Sequence, residues 1–466
     1  MVRRRSTVKL ARSIALTLLI AISAVAADTA LDRYVKKPDA TYKYEIVNTV
    51  KGEGFTTYIV DLTSQTWRTP AEVNRTVWKH WLTIVKPDRV ATSTGFLFIT
   101  GGSVGRKAPQ SANATYTENA LVTHSVVAEL QDVPNEPLRF AGETRDRNED
   151  GIIAYTWVKF MKGGDEEWPL RLPMTKAAVR AMDTISAIMA TPDAGGVKVE
   201  KYVVSGGSKR GWTSWATAAV DPRIAAVIPV SIDTLNLEKT FEHHYRVFGF
   251  FSEAVKDYVE SGVMDWNGTP EYRKLLAVED PYSYRERYTM PKYMIQAAGD
   301  QYFLPDSSRY YFDDLKGEKY LRYIPNTDHG LRNTDARESS LAFYQAFLAG
   351  TPRPQFSWKF EANGDIKVTS RTKPEAVKIW QAANPDARDF RLMTIGPAYQ
   401  GSELQDQGGG VYVAHARPPA KGWTAYFVEL TYPSGGKYPF KFTTAVRVNP
   451  DTEPFPAYKP DPEKRK

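Results

Sequence analysis

The chain has 466 residues, enough for two domains or for one large domain with an appendage. Hydrophobic residues make up 42% and charged residues 25%, with 31 glycines and 30 prolines, which excludes disordered, collagenous and coiled-coil architectures. Cysteine is absent, so disulfide scaffolds, thiolate metal sites and cysteine nucleophiles are excluded, and the formal charge of +7 raises nucleic acid or an anionic membrane as partners.

Residues 1–26 read as a signal peptide: a basic stretch, a short apolar run over 13–25 and small residues at Ala24, Val25 and Ala26. Arg4 and Arg5 partly match a twin-arginine export motif, with an ordinary secretory signal as the alternative. No later apolar run reaches the roughly 20 residues that a spanning helix needs. The mature chain is therefore expected to be exported, periplasmic or secreted, with no transmembrane anchor. Cleavage after Ala26 removes Arg3, Arg4, Arg5, Lys9 and Arg12 and no acid, leaving 56 bases against 54 acids, a net of +2. The basic character is an export label, and nucleic acid drops out as a partner.

Residues 42–61 alternate around Gly52, Glu53 and Gly54, which predicts an opening hairpin, and 78–85 reads as a further strand. Apolar runs then alternate with helical stretches, the signature of a βαβ parallel sheet: strands at 95–100, 201–205, 225–230, 292–297 and 319–323, with a helix over 174–189. Residues 234–290 form an aromatic-rich excursion far longer than a usual connection and are expected to be a helical lid insertion. From 351 to 450 short alternating runs (FSWKFEA, DIKVTS, VKIWQA, FRLMTI, VYVAHA, WTAYFVELTY, FKFTTAVRV) predict a β-sandwich-like module of immunoglobulin type, followed by a polar tail at 451–466. The expected fold class is α/β, an α/β-hydrolase fold over 34–350 with a mostly parallel, doubly wound sheet.

Ser208 in VVSGGSKRGW lies between a β-branched strand and a helix, where a nucleophile elbow lifts a serine above the sheet. Gly206 precedes it by two. The residue two after it is Arg210, and the glycine comes one later at Gly211, a pattern similar to the elbow of glucuronoyl esterases. A literal G-x-S-x-G occupies 101–105, but Gly105 and Pro109 forbid a helix after Ser103. Gly102 and Ser103 instead suit the oxyanion hole, together with the backbone N–H of Lys209. In this fold the acid and the histidine follow the nucleophile in that order. Of six histidines only His329 and His415 come late enough, and His415 sits in an alternating strand. His329, in the loop NTDHG, is expected to be the base, and Asp300, at the end of the preceding strand, the acid that orients it. Asp306 competes but reads as an N-cap to the helix SSRYYFDDL.

These stretches, with the segment Arg147, Asn148, Glu149, Asp150, Gly151, IIAYTW, and GDQYFLPDSSRYYFDDL, YIPNTDHGL and the β-rich tail, resemble the PhoPQ-activated pathogenicity-related proteins over nearly the whole mature chain. That resemblance implies an exported α/β-hydrolase with a Ser-His-Asp triad, and eukaryotic relatives that include secreted growth-regulating proteins. It implies no particular substrate.

Asp146, Asn148, Asp150 and Gly151 match half a calcium loop, but Trp157 stands where a bidentate Glu is required, so no metal and no cofactor is expected. Capping of the following helix by Asp146 or Asn148 accounts for them. His243 and His244, adjacent in the lid, point about 100° apart on a helix and are expected to line a substrate pocket with Tyr302 rather than to bind a metal. The Lys209 side chain is open between assisting the oxyanion, attracting an acidic substrate group and simply reaching solvent. The leading expectation is a serine hydrolase acting on a small ester, because no large gate precedes the catalytic region. A short-peptide peptidase resembling prolyl oligopeptidases and a non-catalytic signalling or host-interaction protein are the alternatives.

Overall fold

The computed structural model describes residues 28–416 and 419–465; the signal peptide reading lies outside them. The strands of the first part are β1 (Lys43–Gly52), β2 (Phe55–Thr66), β3 (Val77–Pro87), β4 (Thr94–Ile99), β5 (Val127–Leu130), β6 (Lys201–Gly207), β7 (Ile224–Val230), β8 (Lys292–Ala297) and β9 (Lys319–Ile324). Their order across the sheet is β1-β2-β3-β5-β4-β6-β7-β8-β9. Strands β1, β2, β3 and β5 pair antiparallel, and β5, β4, β6, β7, β8 and β9 are parallel. An antiparallel edge, one strand exchange and a parallel run make this the α/β-hydrolase fold.

The parallel strands are apolar along most of their length because helices cover both faces of the sheet. The helix Arg171–Met189 buries Ala177, Ala178, Ala181, Met182 and Ile185, residues spaced three or four apart on one stripe. The opening hairpin turns through Glu53 and Gly54, where Gly54 has φ +78° and Gly52 pairs with Phe55.

The excursion between β7 and β8 is mainly helical, led by Leu237–Phe248 and Pro270–Glu279. It is fastened to the core by the buried pair Arg171–Glu279 and by Trp212 Nε1–H donating to the Glu279 carbonyl at 2.6 Å.

The C-terminal strands are β10 (Phe356–Phe360), β11 (Ile366–Ser370), β12 (Ala376–Asn384), β13 (Gln400–Glu403), β14 (Val411–Ala414), β15 (Trp423–Tyr432), β16 (Phe440–Thr443) and β17 (Arg447–Asn449). They form two layers. A three-stranded sheet β10-β11-β14 faces a second set, β16-β15-β12-β13, which is continuous with the central sheet through the Thr443–Leu321 pair of β16 and β9. The expected strand FRLMTI is not one: Leu392–Ile395 is a short helix whose first N–H donates to the Gly299 carbonyl at 3.0 Å. The expected polar tail runs back over the helical excursion. Phe455 N–H donates to Arg246 O, and Tyr458 Oη and Asp461 N–H both bond Asp265 Oδ1.

Candidate active site

Strand β6 hands over to the helix Lys209–Val220 at Ser208, whose backbone has φ 55° and ψ −126°. A serine adopts positive φ only under constraint, at a cost of about 1–3 kcal/mol. Here the constraint is visible: Ser208 N–H donates to Val230 O at 2.8 Å, and Ser208 O accepts from Trp212 N–H at 2.9 Å. The turn is tight enough that its glycines are obligatory. A Cβ on Gly206 would lie 2.6 Å from Arg210 O, and one on Gly211 would lie 2.8 Å from Gly206 O. This explains the displaced glycine, since Gly206 and Gly211 face each other across the turn.

Arg210 is thereby free to carry a side chain, which bridges the two glycine-rich turns. Its Nε–H donates to Val133 O at 2.5 Å, its two terminal nitrogens chelate Glu149, and a Cβ on Gly101 would lie 2.4 Å from Nη2. The 101–105 turn therefore abuts the elbow and is followed by no helix until Ala114–Thr123. Gly102 has φ +146°, and a Cβ there would sit 2.1 Å from Asp132 Oδ1. The Lys209 N–H is one of the donors that a helix start leaves without an intrahelical partner.

Asp300 and His329 leave β8 and β9 at the same sheet edge. His329 Nδ1–H donates to Asp300 Oδ2 at 2.7 Å, while Asp300 Oδ1 accepts from the N–H groups of Tyr302 and Phe303 at 2.7 and 3.3 Å. That arrangement leaves Nε2 of His329 buried and without a hydrogen-bond partner. Ser231 Oγ donates to His329 O at 2.8 Å, and Ser231 follows Val230, the residue that holds Ser208 N–H. Ser208 and His329 are thus tied to consecutive residues at one strand end. The C-terminal region buttresses both loops: Tyr399 N–H and O bond the Asn326 side chain, and Leu392 N–H bonds Gly299 O.

Several expected roles change. Asp306 caps no helix; only a short 3₁₀ turn, Ser307–Tyr310, follows it, and its buried carboxylate bonds His243 Nε2 at 3.0 Å and Arg388 Nη2 at 2.7 Å. Burial alone would raise its pKa, but Arg388 and His243 hold it well below the carboxylate range. His243 does not line the cavity at Ser208, because Asp306 and Glu453 (2.6 Å) take both ring nitrogens. Against the cost of burial those carboxylates hold its pKa above the ordinary value. His244 is likewise internal: Nε2 accepts from Ser252 N–H at 2.9 Å, and burial with Arg391 nearby pushes its pKa down to about 3. Lys209 is no free cation, since Nζ lies 2.5 Å from Glu149 and 3.5 Å from Asp150. Asn148 and Asp146 do not cap the helix Glu149–Met161; Asp146 pairs with Arg139 instead. Tyr302 does line the cavity, with its ring 4.4 Å from that of His329.

One buried acid escaped the sequence reading. Asp233, just past β7, accepts from Tyr311 Oη at 2.5 Å and Tyr323 Oη at 2.6 Å, and burial, reinforced by Asp300 and Asp306, raises its pKa from 3.8 to about 7. The folded state holds this proton more tightly than the unfolded chain, so the stabilisation is complete below about 3.8 and is lost as the pH rises through about 7. Wild type should therefore exceed Asp233→Asn in thermal unfolding midpoint by a wider margin at pH 5 than at pH 8. Parallel curves for the two proteins would contradict the assignment.

A sequence model of the PhoPQ-activated pathogenicity-related protein family matches residues 31–391. The chain is 37% identical over 471 residues to autocrine proliferation repressor protein A of Dictyostelium discoideum, covering 94% of each. Among solved structures it is similar to acetyl xylan esterase 1 from Thermoanaerobacterium sp. JW/SL YS485, with a TM-score of 0.47 and 14% identity over 69% of this chain and 92% of that one. It is also similar to the glucuronoyl esterase from Solibacter usitatus, with a TM-score of 0.40 and 15% identity over 69% and 91%.

Proposed function

This chain belongs to the PhoPQ-activated pathogenicity-related protein family, and from that premise we propose that it is an exported serine hydrolase that cleaves a carboxylic ester through an acyl-enzyme. Ser208 Oγ attacks the carbonyl carbon while its proton passes to His329 Nε2, the nitrogen without a partner. Asp300, bonded to Nδ1–H at 2.7 Å, fixes the tautomer and stabilises the imidazolium. The tetrahedral oxyanion takes hydrogen bonds from the backbone N–H of Lys209 and from the turn at Gly102 and Ser103. Collapse breaks the carbonyl–alkoxy bond, Nε2–H protonates the departing alcohol, and water, deprotonated by the same nitrogen, releases the acid and restores Ser208.

The observation that supports this most is the constrained Ser208 turn, anchored to the same strand end as His329. Esters are favoured over peptides by the charges around the cavity. Glu149 and Asp150, the nearby carboxylates that could anchor a peptide's ammonium group, are engaged by Lys209 and Arg210. The mature protein is expected to hydrolyse p-nitrophenyl esters and to leave dipeptidyl amides at the background of the Ser208→Ala variant. Amide turnover with inert esters would replace the esterase by a short-peptide peptidase. A second reading, a signalling protein on a hydrolase scaffold, draws on the name of the Dictyostelium relative, a proliferation repressor; it requires that neither substrate turns over.

A further inference from the structure

The cavity beside Ser208 has a volume of about 30 Å³. That is about a tenth of the roughly 300 Å³ at which pockets for organic ligands begin, so the space beside Ser208 alone is small for an acyl chain. One of its walls is Phe241, on the helix Leu237–Phe248, with its ring 6.4 Å from that of Tyr258. The same Phe241 also lines a second cavity, of about 380 Å³, on the other side. A space of that size is in the range that holds organic ligands.

The second cavity has apolar surfaces from Phe251, Met264 and Tyr272, and the returning tail closes it with Ala457 and Tyr458. Tyr458 packs its ring 5.1 Å from that of Phe251, and its hydroxyl donates to Asp265 at 2.7 Å, while Arg465 Nε–H bonds Asp265 O at 2.6 Å. The tail is therefore a fixed part of the wall. Charges on its lining pair locally, with Lys239 3.4 Å from Glu242 and Arg273 3.6 Å from Glu238. No unbalanced charge is left on these four side chains to select an ionic group, and Phe251, Met264 and Tyr272 supply the apolar share of the lining.

We propose that this second cavity is the acyl site of the hydrolase, that it takes an uncharged, medium-length acyl chain, and that Phe241 is the partition the chain must displace to bring its carbonyl to Ser208. The proposal rests on the hydrolase reading. The direction follows from proton transfer: the leaving alcohol must meet His329 Nε2, and Tyr302 and Phe303 are the rings beside that imidazole, at 4.4 and 5.8 Å. The alcohol belongs against that wall and the acyl chain against the wall of Phe241 and Tyr258. On this reading a swing of the Phe241 ring, which lines both cavities, is the movement that joins them.

The test compares kcat/KM for p-nitrophenyl octanoate and p-nitrophenyl acetate in the mature full-length chain, with a fluorophosphonate confirming labelling of Ser208 in every variant. One methylene more or less in an apolar pocket changes selectivity by about 10- to 200-fold. Phe241→Ala should raise the octanoate to acetate ratio by at least about tenfold, and Ala457→Trp, which fills the cavity from an exposed position of the tail, should lower it by at least about tenfold. Ratios within about twofold of wild type in both variants, with Ser208 labelled, would overturn the acyl site and leave the hydrolase standing. If Phe241→Ala fails to fold, Ala457→Trp decides alone. Absence of labelling in wild type overturns the hydrolase reading and this proposal with it.

Discussion

Replacing Ser208 by alanine should lower ester turnover by about 10⁴- to 10⁶-fold, leaving only the residual acceleration that an oxyanion hole and substrate binding supply without a nucleophile. The fold should survive the change. Ser208 Oγ makes no hydrogen bond to the described residues, and the turn is held by backbone bonds to Val230 and Trp212 that alanine retains. The φ of 55° is strained for alanine as for serine, so the unfolding midpoint should move little while kcat collapses. The measurement is kcat on a p-nitrophenyl ester beside a thermal melt. Retained turnover in Ser208→Ala would remove the serine from the chemistry.

The second large effect separates two acids six residues apart. Asp300→Asn should reduce kcat by about 10⁴-fold, because an amide at that position favours the tautomer that puts the His329 proton on Nε2, where the base must be free. The loss should concentrate in kcat, since Tyr302 and Phe303 N–H groups can still bond the amide oxygen and hold the loop. Asp306→Asn should do the opposite. It leaves Arg388 and His243 without the buried carboxylate they share, and breaking a buried pair such as Arg388–Asp306 costs about 3–5 kcal/mol of stability. At a temperature where that variant remains folded, kcat should stay within about tenfold of wild type. A reversed pattern, with Asp306→Asn inactive and Asp300→Asn merely unstable, would move the acid.

The legible parts of the molecule are those written in local chemistry. The apolar runs of β4, β6, β7 and β8 end in glycine or small residues at one edge of the sheet, and the relation of Ser208 to Gly206 and Gly211 needs only six consecutive residues. Chain order then singled out Asp300 and His329, which the structure brings within 2.7 Å. What escaped is set by distance or brevity. Strand β5 has four residues with Glu129 among them, so its apolar run is too short to register, and the carboxylate is accommodated by Thr100 and Gln131. The alternation in FRLMTI reads as a strand, yet the carbonyl of Gly299, far away in sequence, captures the Leu392 N–H and curls the segment into a turn that supports the acid loop. His243 and His244 read as pocket residues because they stand in the lid; the carboxylate on His243 Nδ1 comes from Glu453, 210 residues later. The same long reach turns the polar tail into a wall.

Covalent labelling tests the central claim most directly. Mature protein treated with a fluorophosphonate, then digested and mapped by mass spectrometry, should carry one adduct per chain, on Ser208, and the labelling rate should fall steeply in Asp300→Asn and in His329→Ala. An adduct on Ser103, the serine of the literal G-x-S-x-G, or no adduct on a folded chain, would contradict the account.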